Sequence, residues 1–226
     1  MNVSEPEPLV AAREKRERWQ SLDALRGFDM LFILGVDGFF IALAKALPWA
    51  VFALLAQQMQ HATWHGFLFY DLIFPLFIFV SGAALALSEK NLRTTHWEKR
   101  WPIYRKAMVR LLILCVLGVF YNHGWGTGIP TSFDEVRFAS VLQRIGVAWF
   151  FTAMIVWHLL PRWQVGIAAV IAVLYAILQC LNPQPSGASF DFSLEGSFNT
   201  YIDALFLFGA SYKNLPLDPE GVFSHI

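Results

Sequence analysis

Charge is scarce in this sequence. Asp, Glu, Lys and Arg make up 15% of 226 residues, against ~25% in soluble globular chains, and the two signs cancel at 17 each. A chain this neutral carries no overall field to recruit nucleic acid or acidic ligands. Cysteine is nearly absent as well. Cys115 and Cys180 both fall inside apolar blocks at no metal-ligand spacing, which reads as packed thiols and argues against a disulfide framework. The sequence also lacks a Gly-rich phosphate loop, a GxSxG elbow and HExxH, so three common enzyme chemistries have no motif to stand on. There is no internal repeat, no low-complexity tract and no soluble domain. The first 26 residues are polar and charged, without an apolar h-region and cleavage site, so the first apolar block is expected to serve as an uncleaved anchor.

What is plentiful is apolar. Hydrophobic residues are 56% of the chain, against roughly 45–50% in soluble proteins. They fall in blocks of the ~20 residues that a helix needs to cross a hydrocarbon core. The expected fold class is therefore all-α: a polytopic transmembrane bundle with about five spanning helices. The blocks run from Gly27 to Leu47, Gly66 to Leu87, Ala107 (or Tyr104) to Tyr121, Phe138 to Leu160 and Gln164 to Leu181. Trp49 to Ala56 is too short to span and reads as a helix lying at the interface.

Lys and Arg gather in the N-terminal tail (Arg13, Lys15, Arg16, Arg18, Arg26) and between the second and third blocks (Lys90, Arg93, Lys99, Arg100, Arg105, Lys106). By the positive-inside rule this gives a cytoplasmic tail (1–26), a membrane domain (27–181) and an extracytoplasmic segment (182–226). That last segment opens Asn-Pro-Gln-Pro-Ser-Gly, a loop signature, and holds a short apolar run, Tyr201 to Ala210. It reads like a loop about to enter another helix, so the chain is expected to be truncated. The expected location is a bacterial inner membrane, with lipid, substrate and further copies of the chain as the partners this pattern allows and nucleic acid not among them.

Ionisable groups inside a membrane are costly and tend to face a cavity or a partner. Here they are Asp29, Asp37, Asp71 and Arg144. Asp29 lies three residues from Arg26 and is a candidate for a local pair. Asp71 and Arg144 sit at matching depths, either paired with each other or lining a polar site. Arg110 can snorkel to the headgroups. The densest polar-aromatic stretch is Gln58 to Gly66, with His61, Trp64 and His65; His123 falls on the same side of the membrane. Two histidines four residues apart do not make a metal site without a third ligand.

Four elements carry a resemblance. They are Ser21-Leu22-Asp23-Ala24-Leu25-Arg26-Gly27, then His61-Ala62-Thr63-Trp64-His65-Gly66 followed by Tyr70-Asp71-Leu72-Ile73-Phe74-Pro75, then Val141-Leu142-Gln143-Arg144-Ile145-Gly146, and Asp218-Pro219-Glu220-Gly221. In this order and spacing the chain resembles the heparan-α-glucosaminide N-acetyltransferase family and its bacterial relatives, some of which are named as N-acetylglucosamine-related transporters. The resemblance implies an acetyltransferase that takes acetyl-CoA from the cytoplasmic side and passes the acetyl group to the amine of an amino sugar, glucosamine, on the other. It implies His61 as the catalytic residue, as general base or as nucleophile. It makes Trp64, His65, Asp71, Arg144, Asp29 and His123 the residues lining substrate or cofactor. An amino-sugar permease or an accessory membrane component is the alternative. In the family, helices continue beyond Asp-Pro-Glu-Gly, and His65 stands where Asn or Glu is expected.

Overall fold

In hydrocarbon a backbone amide has no water to bond to, and a helix satisfies its own amides within the segment. The computed structural model describes residues 19–47, 49–62, 64–88, 92–123, 135–185, 187–207, 209–211, 218 and 221–222, with His123 described by its backbone only. Every extended regular element among them is helical. The helices are α1 (Gln20–Leu31), α2 (Asp37–Ala46), α3 (Ala50–Gln58), α4 (Ile73–Ala86), α5 (Trp97–His123), α6 (Val141–His158), α7 (Pro161–Leu181) and α8 (Phe198–Phe206). Four stretches are long and apolar enough to cross a membrane: Gln20–Ala46, Phe69–Ala86, Val141–His158 and Pro161–Leu181. The longest helix, α5, has 27 residues, about 40 Å at 1.5 Å per residue, and carries Arg105, Lys106 and Arg110 in its N-terminal half.

The boundaries depart from the apolar blocks where polar residues take helical positions. The helix α5 begins ten residues before Ala107, because Ile103, Tyr104 and Ala107 recur at helical spacing and pack on a core of Leu85, Leu92, Ala153 and Trp157. Pro102, in its second turn, is held inside it. The Tyr104 hydroxyl and His158 Nε2 lie 2.8 Å apart, and the Leu92 N–H donates to the Trp157 carbonyl at 3.1 Å. These contacts tie together the basic face of the bundle. Ser140 starts α6 by accepting the Gln143 N–H at 3.0 Å, and Pro161 starts α7, where a missing N–H costs nothing.

The first block is two rods, not one. A π-helical stretch, Phe32–Val36, joins α1 to α2, and within it Gly35 has φ 113°, a conformation that a side chain would oppose. Beyond this break α3 packs back along α2, so Trp49 to Ala56 belongs to a helical hairpin. Gly118 and Gly146 let α5 and α6 approach closely. A Cβ at Gly118 would meet Ser140 Oγ at 2.0 Å, and one at Gly146 would meet Leu114 Cβ at 3.2 Å. Small residues play this part in membrane bundles, where backbones must come close for packing to hold.

Candidate functional site

The hairpin returns the chain to the bundle at Met59, which is buried with Phe32 of the π-helical stretch and Ile73 of α4. Gln58 Oε1 accepts the Phe69 N–H at 3.1 Å, closing the loop that holds His61 to Leu68. Phe69 to Leu72 then forms a single 3-10 turn. Its Asp71 reaches back with Oδ2 to accept the Leu68 N–H at 2.9 Å and the Ala62 N–H at 3.5 Å. This is the usual service of an acid at the third position of a helix. The same reach presents Oδ1 to His61 Nδ1, 2.7 Å away.

That contact pairs an imidazole with a carboxylate. An ionised carboxylate only accepts, so the contact places the imidazole proton on Nδ1 and leaves the Nε2 lone pair to act. Nε2 has no hydrogen-bond partner among the described residues, and the His61 side chain is 70% exposed against 25% for Asp71. The Tyr70 ring meets the imidazole edge-on at 4.9 Å, while its hydroxyl donates to the Phe32 carbonyl at 3.5 Å. A carboxylate orienting an imidazole whose other nitrogen faces an open space is the arrangement of a general base.

The other sequence candidates are placed unevenly. Asp71 does not pair with Arg144: its carboxylate is taken by His61 and two backbone amides. The Arg144 guanidinium instead lies over the Phe74 ring at 5.1 Å, one residue position along α4 from Ile73. Asp29 does not pair with Arg26. Its side chain is fully buried and neither oxygen has a hydrogen-bond partner among the described residues. It sits one helical turn before Phe32, on the basic side of the His61 group. Trp64 donates its indole N–H to the Phe192 carbonyl at 2.8 Å, so it anchors a loop 128 residues away. His65 is exposed, with its ring tilted on Trp64. The His123 side chain, Thr63, Pro219 and Glu220 lie outside the described residues.

Two features escaped the sequence reading. The Arg137 guanidinium grips the fully buried Asp218 carboxylate with two bonds, at 2.8 and 2.5 Å. Asp203 of α8 accepts the Asp218 and Val222 N–H groups at 3.2 and 2.8 Å. Gly221 fits under Asp203 where a Cβ would lie 1.9 Å from its Oδ2. The motif that opens with Asp218 is thus a clasp for the segment after α7. The lone cation between two apolar blocks was the available signal, because a single Arg beside a membrane face calls for an acid elsewhere. The second feature is a cavity of about 100 Å³ between α4 and α6, lined in part by Ser81, Gly82, Trp149 and Thr152. It lies ten residues along α4 from Asp71, about 15 Å toward the basic face. The Arg110 guanidinium covers the Trp149 ring there at 4.2 Å.

No family model matches the chain. Among curated proteins it is similar to heparan-alpha-glucosaminide N-acetyltransferase of Homo sapiens, 28% identical over 138 residues, and to the protein of that name from Mus musculus, 26% identical over 143. The chain is a distant relative of these enzymes. The aligned parts are 61% and 63% of this chain but 19% and 20% of the relatives. It therefore spans about a fifth of the length of the heparan-alpha-glucosaminide N-acetyltransferases it matches. The four stretches long and apolar enough to cross a membrane fit an integral membrane protein.

Proposed function

We propose that the chain forms the acetyl-transfer site of a membrane enzyme that moves an acetyl group from acetyl-CoA to the amine of an amino sugar, glucosamine. The observation that carries this is the 2.7 Å contact between His61 Nδ1 and Asp71, which leaves Nε2 without a hydrogen-bond partner among the described residues. Acetyl-CoA supplies an acetyl group activated as a thioester. An amine attacks such a carbonyl only as its free base, and it sheds a second proton as the amide forms. His61 Nε2 is placed to take that proton and pass it to the departing thiolate sulfur. Asp71 keeps the imidazole in the tautomer that can do so and offsets its charge while the proton is held. The cavity between α4 and α6 lies between the basic face and His61, which suits a donor arriving from the face rich in Lys and Arg.

The orientation follows from the basic loop. With the tail and the Lys90–Lys106 stretch in the cytoplasm, His61 faces the opposite side. A reporter fused after Lys99 is expected to report cytoplasm, and one after Gly126 the far side. The reverse result at either position would remove the basis for transfer across the membrane.

A permease remains the second reading, favoured by the break at Gly35, since broken helices line transporter sites. Pro75 does not add to it, because it lies in the first turn of α4, where proline is tolerated. Membranes carrying the chain are expected to acetylate glucosamine from acetyl-CoA. Uptake of labelled N-acetylglucosamine into vesicles without transfer would decide for the permease.

A further inference from the structure

We propose that the loop Gly187–Ser197 is the acceptor platform, on which Phe190 and Phe192 stack against the ring of an amine-bearing sugar while Asp191 and Glu195 draw its ammonium group. The proposal rests on the amino-sugar reading above and extends it to a place and a set of residues.

The loop is held from both ends. Asn182, buried and left-handed at φ 46°, donates from Nδ2 to the Ala188 and Gly196 carbonyls at 3.0 and 2.9 Å. Gln184 Nε2 adds a third bond to Gly196 at 2.8 Å. The Phe190 N–H donates to the Cys180 carbonyl at the end of α7, at 2.8 Å. Asp191 Oδ1 accepts the Ser193 N–H at 2.9 Å, and the Ser193 hydroxyl and N–H together hold that carboxyl below its ordinary range. The Phe192 carbonyl receives the Trp64 indole, which seats the loop against the stretch that carries His61.

This scaffold is spent on an unfavourable display. Phe190 has φ 62°, a strained backbone region that a residue with an aromatic side chain seldom enters. The result is a ring 68% exposed, with Phe192 at 44%. Neither ring has an aromatic neighbour among the described residues. Strain kept by a rigid loop beside a candidate site is better explained by binding than by folding.

Charge selects the ligand class. From Trp163 to Tyr212 the sequence has Asp191, Glu195 and Asp203 but no Lys or Arg. Asp191, between the two aromatic residues in sequence, and Glu195, three positions after Phe192, disfavour insertion among lipid phosphates and favour a cation. Aromatic faces attract both an ammonium group and the C–H face of a pyranose. Glucosamine offers both on one ring.

The test uses the chain in lipid nanodiscs with tryptophan introduced as Phe190→Trp, read as the increment over parent emission. Glucosamine is expected to change that increment, glucose to do so more weakly, and brominated lipid to leave it alone. Quenching by brominated lipid without a sugar response would make the loop a lipid anchor and overturn the proposal. Phe190→Gly relieves the strain, so it is expected to be at least as stable as the parent while binding glucosamine roughly 2- to 12-fold more weakly. Unchanged affinity in both Phe190→Gly and Phe192→Ala would also overturn it. If the reporter responds to glucosamine but the parent transfers no acetyl group, the platform stands and the acetyltransferase reading falls.

Discussion

His61→Ala is expected to lower acetyl transfer to glucosamine by ~10²–10⁴-fold, the usual loss when a positioned base is removed. The side chain is largely exposed and, among the described residues, hydrogen-bonds to Asp71 alone, so thermal stability is expected to stay near that of the parent. Asp71→Asn should fall in the same range for a different reason. A carboxamide can offer its N–H₂ to Nδ1, which moves the ring proton to Nε2 and removes the free lone pair. His65→Ala should be milder, since His65 touches only the edge of Trp64. Turnover by purified variants, with unfolding midpoints as the control, checks all three. Near-parental turnover in His61→Ala, or equal losses at His61 and His65 with lowered stability, would end the assignment.

The second large effect is expected away from the imidazole. Arg137→Ala leaves the Asp218 carboxylate buried with no guanidinium, and breaking a buried pair from one side costs about 3–5 kcal/mol. The segment after α7 should then come loose from the bundle and become a target for protease added from its own side. The double change Arg137→Met with Asp218→Leu should lie closer to the parent than Arg137→Ala alone, because an apolar pair carries no stranded charge. Limited proteolysis alongside thermal unfolding measures both. Equal protease resistance in Arg137→Ala and the parent would show that the clasp does not hold this segment.

Much of the fold was legible because span length is a composition signal. The ends at Leu181, Ala86 and His158 fall within two residues of the expected ones, since an apolar run stops where polar residues begin. The break at Gly35 was not read from the sequence: Gly35, Asp37 and Gly38 interrupt the apolar run, but hydropathy averaged over a span does not distinguish a straight helix from two joined rods. The start of α5 was hidden by its cations, which dominate a hydropathy window although Ile103 and Tyr104 face the core. In the site, sequence named both His61 and Asp71 and left Asp71, at a depth matching that of Arg144, either paired with it or lining a polar site. Asp71 turns back along its own chain because it caps the Leu68 amide, a local demand that outranks a distant cation. The resemblance made Trp64 a lining residue, while its bond to a carbonyl 128 positions away carries no sequence signal.

Those two separations also set an order of assembly. The His61–Asp71 contact closes over ten residues, within one loop and the turn that follows it, and needs nothing from later helices. The Trp64–Phe192 bond closes over 128, and can form only after α7 has been made. Loop closure grows dearer with length, if slowly. During synthesis the imidazole and its carboxylate therefore meet early, while the wall opposite them arrives last. A nascent chain would carry its reactive pair before it had anything to select a substrate with.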